Sequence, residues 1–527
     1  MKHLHYLRKW INCLPAIIMV MVVPLISFSQ HRWNHQNELS SRLREAAPDT
    51  GRVHLLLKLG QYYLPPEHSL YQGSIAITNP DSASWFAEQA LQLSQALRYE
   101  RGKNEALLIK GDALIRTNQI GDVLAILKSL HDSTRFRLLV TLGQHYLFHT
   151  PRSDKNMDSA LLFLQQANNT IPDIPSALWK QERIRIKAMC AFITDGVQNC
   201  KVLYKELISE MRISRNEENE ANAWHELAML IPSRDTMGIT RLNCLENMVS
   251  IYHKAGDLEK EIGVLQSIAD MHMVHGKLAL AETELLNVLE QYKAINYPSL
   301  QWTYNLLASV NSKKGDYTKG ISYVLKAIES MEANRDYRPA HIFYSHLGHM
   351  YMELGQPEKS VEWYSKLFTT RDFTDRGNMY TFRDAGLLAR QLIKLKKEKE
   401  ALAFILDIEA RNKPVGPLAE ASLLSSLAYC SYVLNLHQQA DEYYSKLVKL
   451  TGQLNKNNEV TTDVNYELGQ YFLAKKQYAT AATYLQKALD ASEGINTLAV
   501  TKDIYLMLYK ADSAQGNYFS AMQLLMK

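Results

Sequence analysis

The chain has 527 residues, 46% apolar and 22% charged, with a formal charge of +4, a composition ordinary for a folded protein of about three or four domains by length alone. Only 23 Gly and 15 Pro are present, and Leu, Ala, Lys, Glu and Gln dominate, which excludes a disordered or β-rich chain. The small charge supplies no global field to draw the protein to a phosphate backbone, so a nucleic acid is not an expected partner.

At the N-terminus, Lys2, Arg8 and Lys9 precede a mostly apolar stretch, Ile11 to Phe28, whose unbroken core is Ala16–Val23. Ser27-Phe28-Ser29 then offers small residues at the positions a signal peptidase reads, so residues 1–29 are expected to be a signal peptide cleaved after Ser29. An uncleaved anchor is the alternative, but Pro15 and Pro24 would break a spanning helix that is already near minimum length. Removing 1–29 leaves a charge of +1. The mature chain is expected to be periplasmic or secreted. It would meet a membrane only through a partner or an uncleaved signal. Cys190, Cys200, Cys244 and Cys430 remain, and their scatter matches no disulfide framework. They read as small core residues, with Cys190–Cys200 the one pairing open to test.

Beyond the signal the sequence repeats. Tyr304-Asn305-Leu306-Leu307-Ala308 is followed by Gly315-Asp316-Tyr317, then Gly320, Val324 and Ala327. His346 to Tyr351 is followed by Gly355, then Ser360, Tyr364 and Leu367. Tyr466 to Phe472 is followed by Tyr478, then Ala481, Leu485 and Ala488. Each half has helical spacing, and a short turn separates the halves, so each unit is a hairpin of two antiparallel helices. The small residue after the Leu marks the series Gly60, Gly111, Gly143, Ala188, Ala228, Ala269, Ala308, Gly348, Ala389, Ala428 and Gly469, with Tyr509 closing it irregularly. From Ala188 onward the steps are 40, 41, 39, 40, 41, 39, 41 and 40. A small residue lets the second helix approach, and Ala401, Ala440 or Ala481 faces it there. Large residues such as Tyr351, Tyr364, Tyr444 and Leu485 fill the rest. One hairpin cannot bury both its faces, so it stacks on the next. The expected fold is therefore all-α, an α-solenoid (superhelix) of about 12 antiparallel hairpins. Residues 30–235 would form divergent repeats, and 236–527 regular ones continuous with them.

Leu, Gly/Ala and Tyr in the first helix, with Ala, a large residue and Ala in the second, resemble the tetratricopeptide repeat over roughly residues 50–527. The period near 40 exceeds that family's 34 and suits a HEAT-like array, but the Leu-Gly-x-x-Tyr and Ala-x-x-x-aromatic signatures favour the tetratricopeptide reading. Gln266 to His272, Gly276 to Glu282 and Ala294 to Pro298 also look like the extracytoplasmic repeat region of certain bacterial sensor histidine kinases. The kinase domains of that family find no counterpart here. The resemblance implies a concave surface lined by first-helix positions. Carried over, these are Trp302, Asn305, His349, Arg390, Tyr429, Tyr432, Tyr466 and Gln470, amphipathic residues suited to an extended peptide or a docked loop.

Motifs for chemistry are absent from the sequence. It has no phosphate-binding loop, dinucleotide fingerprint or nucleophile elbow. His225-Glu226 continues as Leu-Ala-Met, so the His-Glu-x-x-His zinc motif fails. His272/His275 and His346/His349 have the spacing to share a metal, but no Cys or carboxylate set joins them, and they read as packed or solvated helix residues, with His346 near the surface. The run Lys394 to Glu400 reads as a solvated turn. The expectation is a non-catalytic scaffold that binds a protein or peptide without cofactor or metal, in envelope sensing. The alternative is the sensor portion of a histidine kinase, acting in a phosphorelay through a membrane partner.

Overall fold

The computed structural model describes residues 38–64, 79–150, 153–171, 176–233, 235–369, 379–454, 458–492 and 498–525. The signal segment 1–29 lies outside them. Among the described residues there is no strand and no helix long and apolar enough to cross a membrane.

The chain divides into two compact units. The first holds the described residues up to Met271 together with Asn287–Ser299. The second holds His272–Leu286 and the described residues from Leu300 onward. In chain order the first helices are α1 (38–45), α2 (Thr50–Tyr62), α3 (Pro80–Ala96), α4 (Glu100–Arg116), α5 (Ile120–Ser129), α6 (Asp132–Gln144), α7 (Asp154–Thr170), α8 (Ala177–Thr194), α9 (Val197–Ile213), α10 (Glu217–Leu230) and α11 (Arg241–Ala255). Then come α12 (Leu258–Val274) and α13 (Leu278–Ala294). The second unit continues with α14 (Gln301–Lys313), α15 (Tyr317–Ala333), α16 (Ala340–Glu353), α17 (Pro357–Thr369), α18 (Met379–Lys394), α19 (Glu398–Arg411), α20 (Pro417–Val433), α21 (His437–Leu450), α22 (Glu459–Ala474), α23 (Tyr478–Ser492), α24 (Leu498–Ala514) and α25 (Tyr518–Leu525). All twelve marker residues fall on even-numbered helices.

The turns keep the same register. The residue seven beyond the marker adopts positive φ at Asn118, Gly276, Gly315, Gly355, Lys396, Asn435, Lys476 and Gly516. A left-handed residue just past the helix end lets following amides reach back to the last carbonyls. At Gly315 the Asp316 amide bonds Asn311 O at 2.9 Å, and Asp316 then caps α15 through the Lys319 amide at 3.0 Å. The Lys-Lys turns at Lys396 and Lys476 hold that conformation without glycine, at some backbone strain.

The seams explain the small residues. A Cβ on Gly348 would lie 2.7 Å from the Tyr364 ring, and one on Gly469 2.5 Å from Leu485. Ser360 packs opposite Gly348 and donates to its carbonyl at 2.7 Å, while Ala401, Ala440 and Ala481 are fully buried. Tyr204, Tyr364 and Tyr444 each stand sixteen residues after a marker and are the three bulkiest wholly buried side chains among the described residues. Cys200, Cys244 and Cys430 are buried and Cys190 half-buried, all as free thiols, so Cys190 and Cys200 are not paired.

Candidate functional site

In the second unit the first helices of successive hairpins turn one face toward a shared interior. The curvature shows in ion pairs that skip a hairpin. On α18, Arg383 reaches past α20 to α22, where it pairs with Glu459 at 2.8 Å and Asp463 at 3.0 Å. Two turns on, Arg390 pairs with Glu467 at 2.6 Å. Small residues make the crossing possible, since α20 presents Ser422, Ser425 and Ser426, all buried. Gly386 also has no Cβ to collide with Ser426, so α18 and α20 pack closely.

Glu467 is the anchor of this arrangement. Its side chain is 4% exposed and also accepts the Tyr444 hydroxyl at 2.7 Å. Tyr444 stacks on Tyr471 with ring centres 3.8 Å apart. The Arg390 guanidinium lies 4.1 Å over the Tyr429 ring, a favourable use of a planar cation. The first unit carries a similar knot. There Glu226 accepts Tyr204 at 3.1 Å and Gln144 at 3.2 Å, and Arg185 sits between Glu226 at 3.4 Å and Glu182 at 2.7 Å. Burial raises the pKa of Glu182, and the nearby Glu226 adds to the shift. Glu226 and Glu467 each stand two residues before a marker and accept the hydroxyl of the tyrosine one hairpin earlier. At the matching place after Tyr364 stands Leu387, and the Tyr364 hydroxyl has no partner among the described residues.

The eight sequence-derived groove residues lie on α14, α16, α18, α20 and α22 of the second unit. Trp302 makes an edge contact with Phe343. Asn305, buried, accepts from His346 Nδ1 at 2.9 Å. His346 was expected near the surface and is instead held inward by that bond. His349 lies 3.9 Å from Glu353. Tyr432 packs edge-on to Tyr471, and Tyr466 is hydrogen-bonded to Gln470. The site residues the sequence reading missed are Arg383, Asp384, Glu459, Asp463 and Glu467. Groups on distant hairpins also act on one another here. The charge of Asp503 on α24 reaches Glu353 on α16 and Tyr466 on α22. Among the described residues no set of three or more ligating side chains could hold a metal ion.

Burial governs the titrating groups of this face. It pushes His346 and His349 down to about 4 from the usual 6.5, with Arg383 adding to the effect at His349. It pushes Asp384 up to about 6 from 3.8, although Arg383 and a hydrogen bond from Ser345 oppose it. The folded state therefore favours neutral imidazoles, and their stabilisation is lost as pH falls from about 6.5 toward about 4. Asp384 works the other way, gaining stability as pH falls from about 6 to about 4. Two imidazoles outweigh one carboxyl, so the urea midpoint of the second unit should drop across that range. Replacing both histidines by glutamine should flatten or reverse the slope. An unchanged slope in that double variant would count against burial as its cause.

A family model described as Tetratricopeptide repeat matches residues 303–333, 342–371 and 462–494. These segments cover most of the hairpins α14–α15, α16–α17 and α22–α23. No curated protein matches the sequence. Among solved structures, the chain is similar to the apo form of the quorum sensor NprR from B. thuringiensis, at 14% identity and a TM-score of 0.43, over 67% of this chain and 98% of that one. It is similar to a Rap protein complexed with competence and sporulation factor at 15% identity and a TM-score of 0.35, over 79% and 98%. It is also similar to a tetratricopeptide repeat protein from Parabacteroides merdae ATCC 43184 at 15% identity and a TM-score of 0.34, over 54% and 96%. With these matched segments, and with helix hairpins and small-residue seams of the same kind around them, the chain carries tetratricopeptide repeats.

Proposed function

We propose that this protein is an exported, non-catalytic binding module whose second unit holds an extended protein segment against the inward faces of α16, α18, α20, α22 and α24. Repeat scaffolds of this kind present extended surfaces for protein partners. The observation that carries the reading is the convergence of charged and aromatic side chains from hairpins far apart in sequence, most directly Arg383 on α18 with Glu459 and Asp463 on α22. Tyr429, Tyr432, Tyr466 and Gln470 add half-buried groups of mixed polarity, the kind that grip a peptide backbone without demanding one sequence. The likeness of residues 266–298 to the repeat region of sensor kinases supports a sensing role in the envelope, with a membrane partner carrying the signal onward.

Site-specific photo-crosslinking tests the binding. A crosslinker at Tyr466 or Gln470 should yield a partner adduct in cells, whereas one at the exposed outer residue Leu406 should not. Equal labelling from both faces would refute the inner-face reading. Export is supported by the basic, apolar and small-residue succession of residues 1–29. N-terminal sequencing of the mature protein should begin at Gln30. A chain retaining Met1 in the cytoplasmic fraction would overturn it.

A further inference from the structure

Resting on that reading, the charge layout of the inner face narrows the ligand. Around Arg383 stand three carboxylates, Glu459, Asp463 and Asp384, and one guanidinium serves them all. His346 and His349 lie close enough to feel Glu459, Arg383 and Asp463 and stay neutral. Glu459 and Asp463 keep 43% and 42% of their side-chain surface, so their outer oxygens are open to a second donor. Beside them Tyr380 is 56% exposed, and the charges of Glu459, Arg383 and Asp384 all act on it. The Tyr364 hydroxyl, fully buried and without a partner among the described residues, lies within the fields of Asp384, Arg383 and Asp463 as well. The same unit shows what such a set binds, since Glu467 and Tyr429 already hold the guanidinium of Arg390 between an ion pair and a ring face.

We propose that Glu459, Asp463 and Tyr380 receive an arginine side chain from an extended basic segment of the partner. Its guanidinium pairs with the open carboxylate oxygens and stacks on the Tyr380 ring, as Arg390 does on Tyr429. A planar guanidinium suits both contacts better than a lysine ammonium. Bulk attraction does not account for the preference, because the chain as a whole carries +4.

The test uses the full chain and fluorescent pools of unstructured peptides with Arg, Lys, Gln or Glu at alternate positions, measured by anisotropy at two salt concentrations. The Arg pool should bind at least about tenfold more tightly than the Glu pool and several-fold more tightly than the Lys pool. Glu459→Gln with Asp463→Asn, and separately Tyr380→Ala, should each remove most of the Arg preference. All three sites are partly exposed, so folding should survive, and circular dichroism checks it. Arg383→Ala, which removes the internal competitor, should tighten Arg-pool binding. Better binding of the Gln or Glu pool would overturn this inference and leave the peptide-binding reading intact. Binding of no pool would overturn both. Arg-pool binding unchanged by the carboxamide pair would place the cation elsewhere and overturn the assignment.

Discussion

Glu467→Ala should cost the second unit about 2–4 kcal/mol, the largest loss expected from any polar substitution on the inner face. Removing one partner of a buried ion pair commonly costs about 3–5 kcal/mol, because the other charge stays behind unpaired. The figure is discounted here because Arg390 keeps 30% of its side-chain surface and water can serve part of it. Tyr444 has no such relief. Its hydroxyl points at Glu467 from a buried position, and a stranded donor adds about 1–3 kcal/mol. Glu467→Gln keeps an acceptor for Tyr444 and gives up the charge, so about 1–2 kcal/mol is expected. Tyr444→Phe should cost a similar amount. Tyr364→Phe, at the equivalent position with Leu387 opposite, should change stability by less than about 0.5 kcal/mol. Repeat arrays need not melt as one unit, so denaturant unfolding should be paired with hydrogen exchange. Protection should fall in α20–α22 and hold in the first unit. An alanine variant as stable as the parent would mean the knot contributes nothing.

That contrast between Tyr444 and Tyr364 shows what a single sequence reveals. The hairpins were legible because each rests on local chemistry: a marker fixes the seam, and a left-handed residue seven positions on fixes the turn. Lys396 and Lys476 fit this register without glycine, which a search for glycine alone would miss. Arg390, Tyr429, Tyr432, Tyr466 and Gln470 could be named from the sequence because each stands one, three or four residues from a marker. Arg383 and Asp463 stand six residues before Ala389 and Gly469, in the register of Trp302, but the pairing of Arg383 with Asp463 and Glu459 was not legible. Their pairing joins residues some 76 to 80 positions apart and depends on how far each hairpin rotates on the last, a quantity no single repeat encodes. A weaker signal was available. Glu226 and Glu467 are the only acids two residues before a marker, and an acid in an apolar seam calls for a partner. Glu226 drew notice only as part of a failed zinc motif, whereas the structure makes it the acceptor for Tyr204.

The second large effect belongs to the seam itself. In a free helix, replacing an interior glycine by alanine gains about 0.5–1 kcal/mol. Gly348→Ala should instead lose about 1–2 kcal/mol, because the new Cβ would sit 2.7–2.8 Å from three atoms of the Tyr364 ring. That ring is fully buried, so it cannot swing clear, and overpacking of this kind costs about 1–3 kcal/mol. The clash exceeds the gain in propensity, and the sign reverses. Gly348→Val adds branching at the crowded atom and should lose more than about 3 kcal/mol. Gly121, on α5 with nothing within 4 Å of its position, provides the control: Gly121→Ala should be neutral or stabilising by up to about 1 kcal/mol. Tyr364→Leu opens a cavity and should cost about 2–4 kcal/mol alone, yet combined with Gly348→Ala it removes the atoms the methyl would strike. The pair should therefore lose about 1–2 kcal/mol less than the separate losses summed. Strict additivity, or a stabilising Gly348→Ala, would mean the close approach of α16 and α17 is not what requires a glycine at this marker.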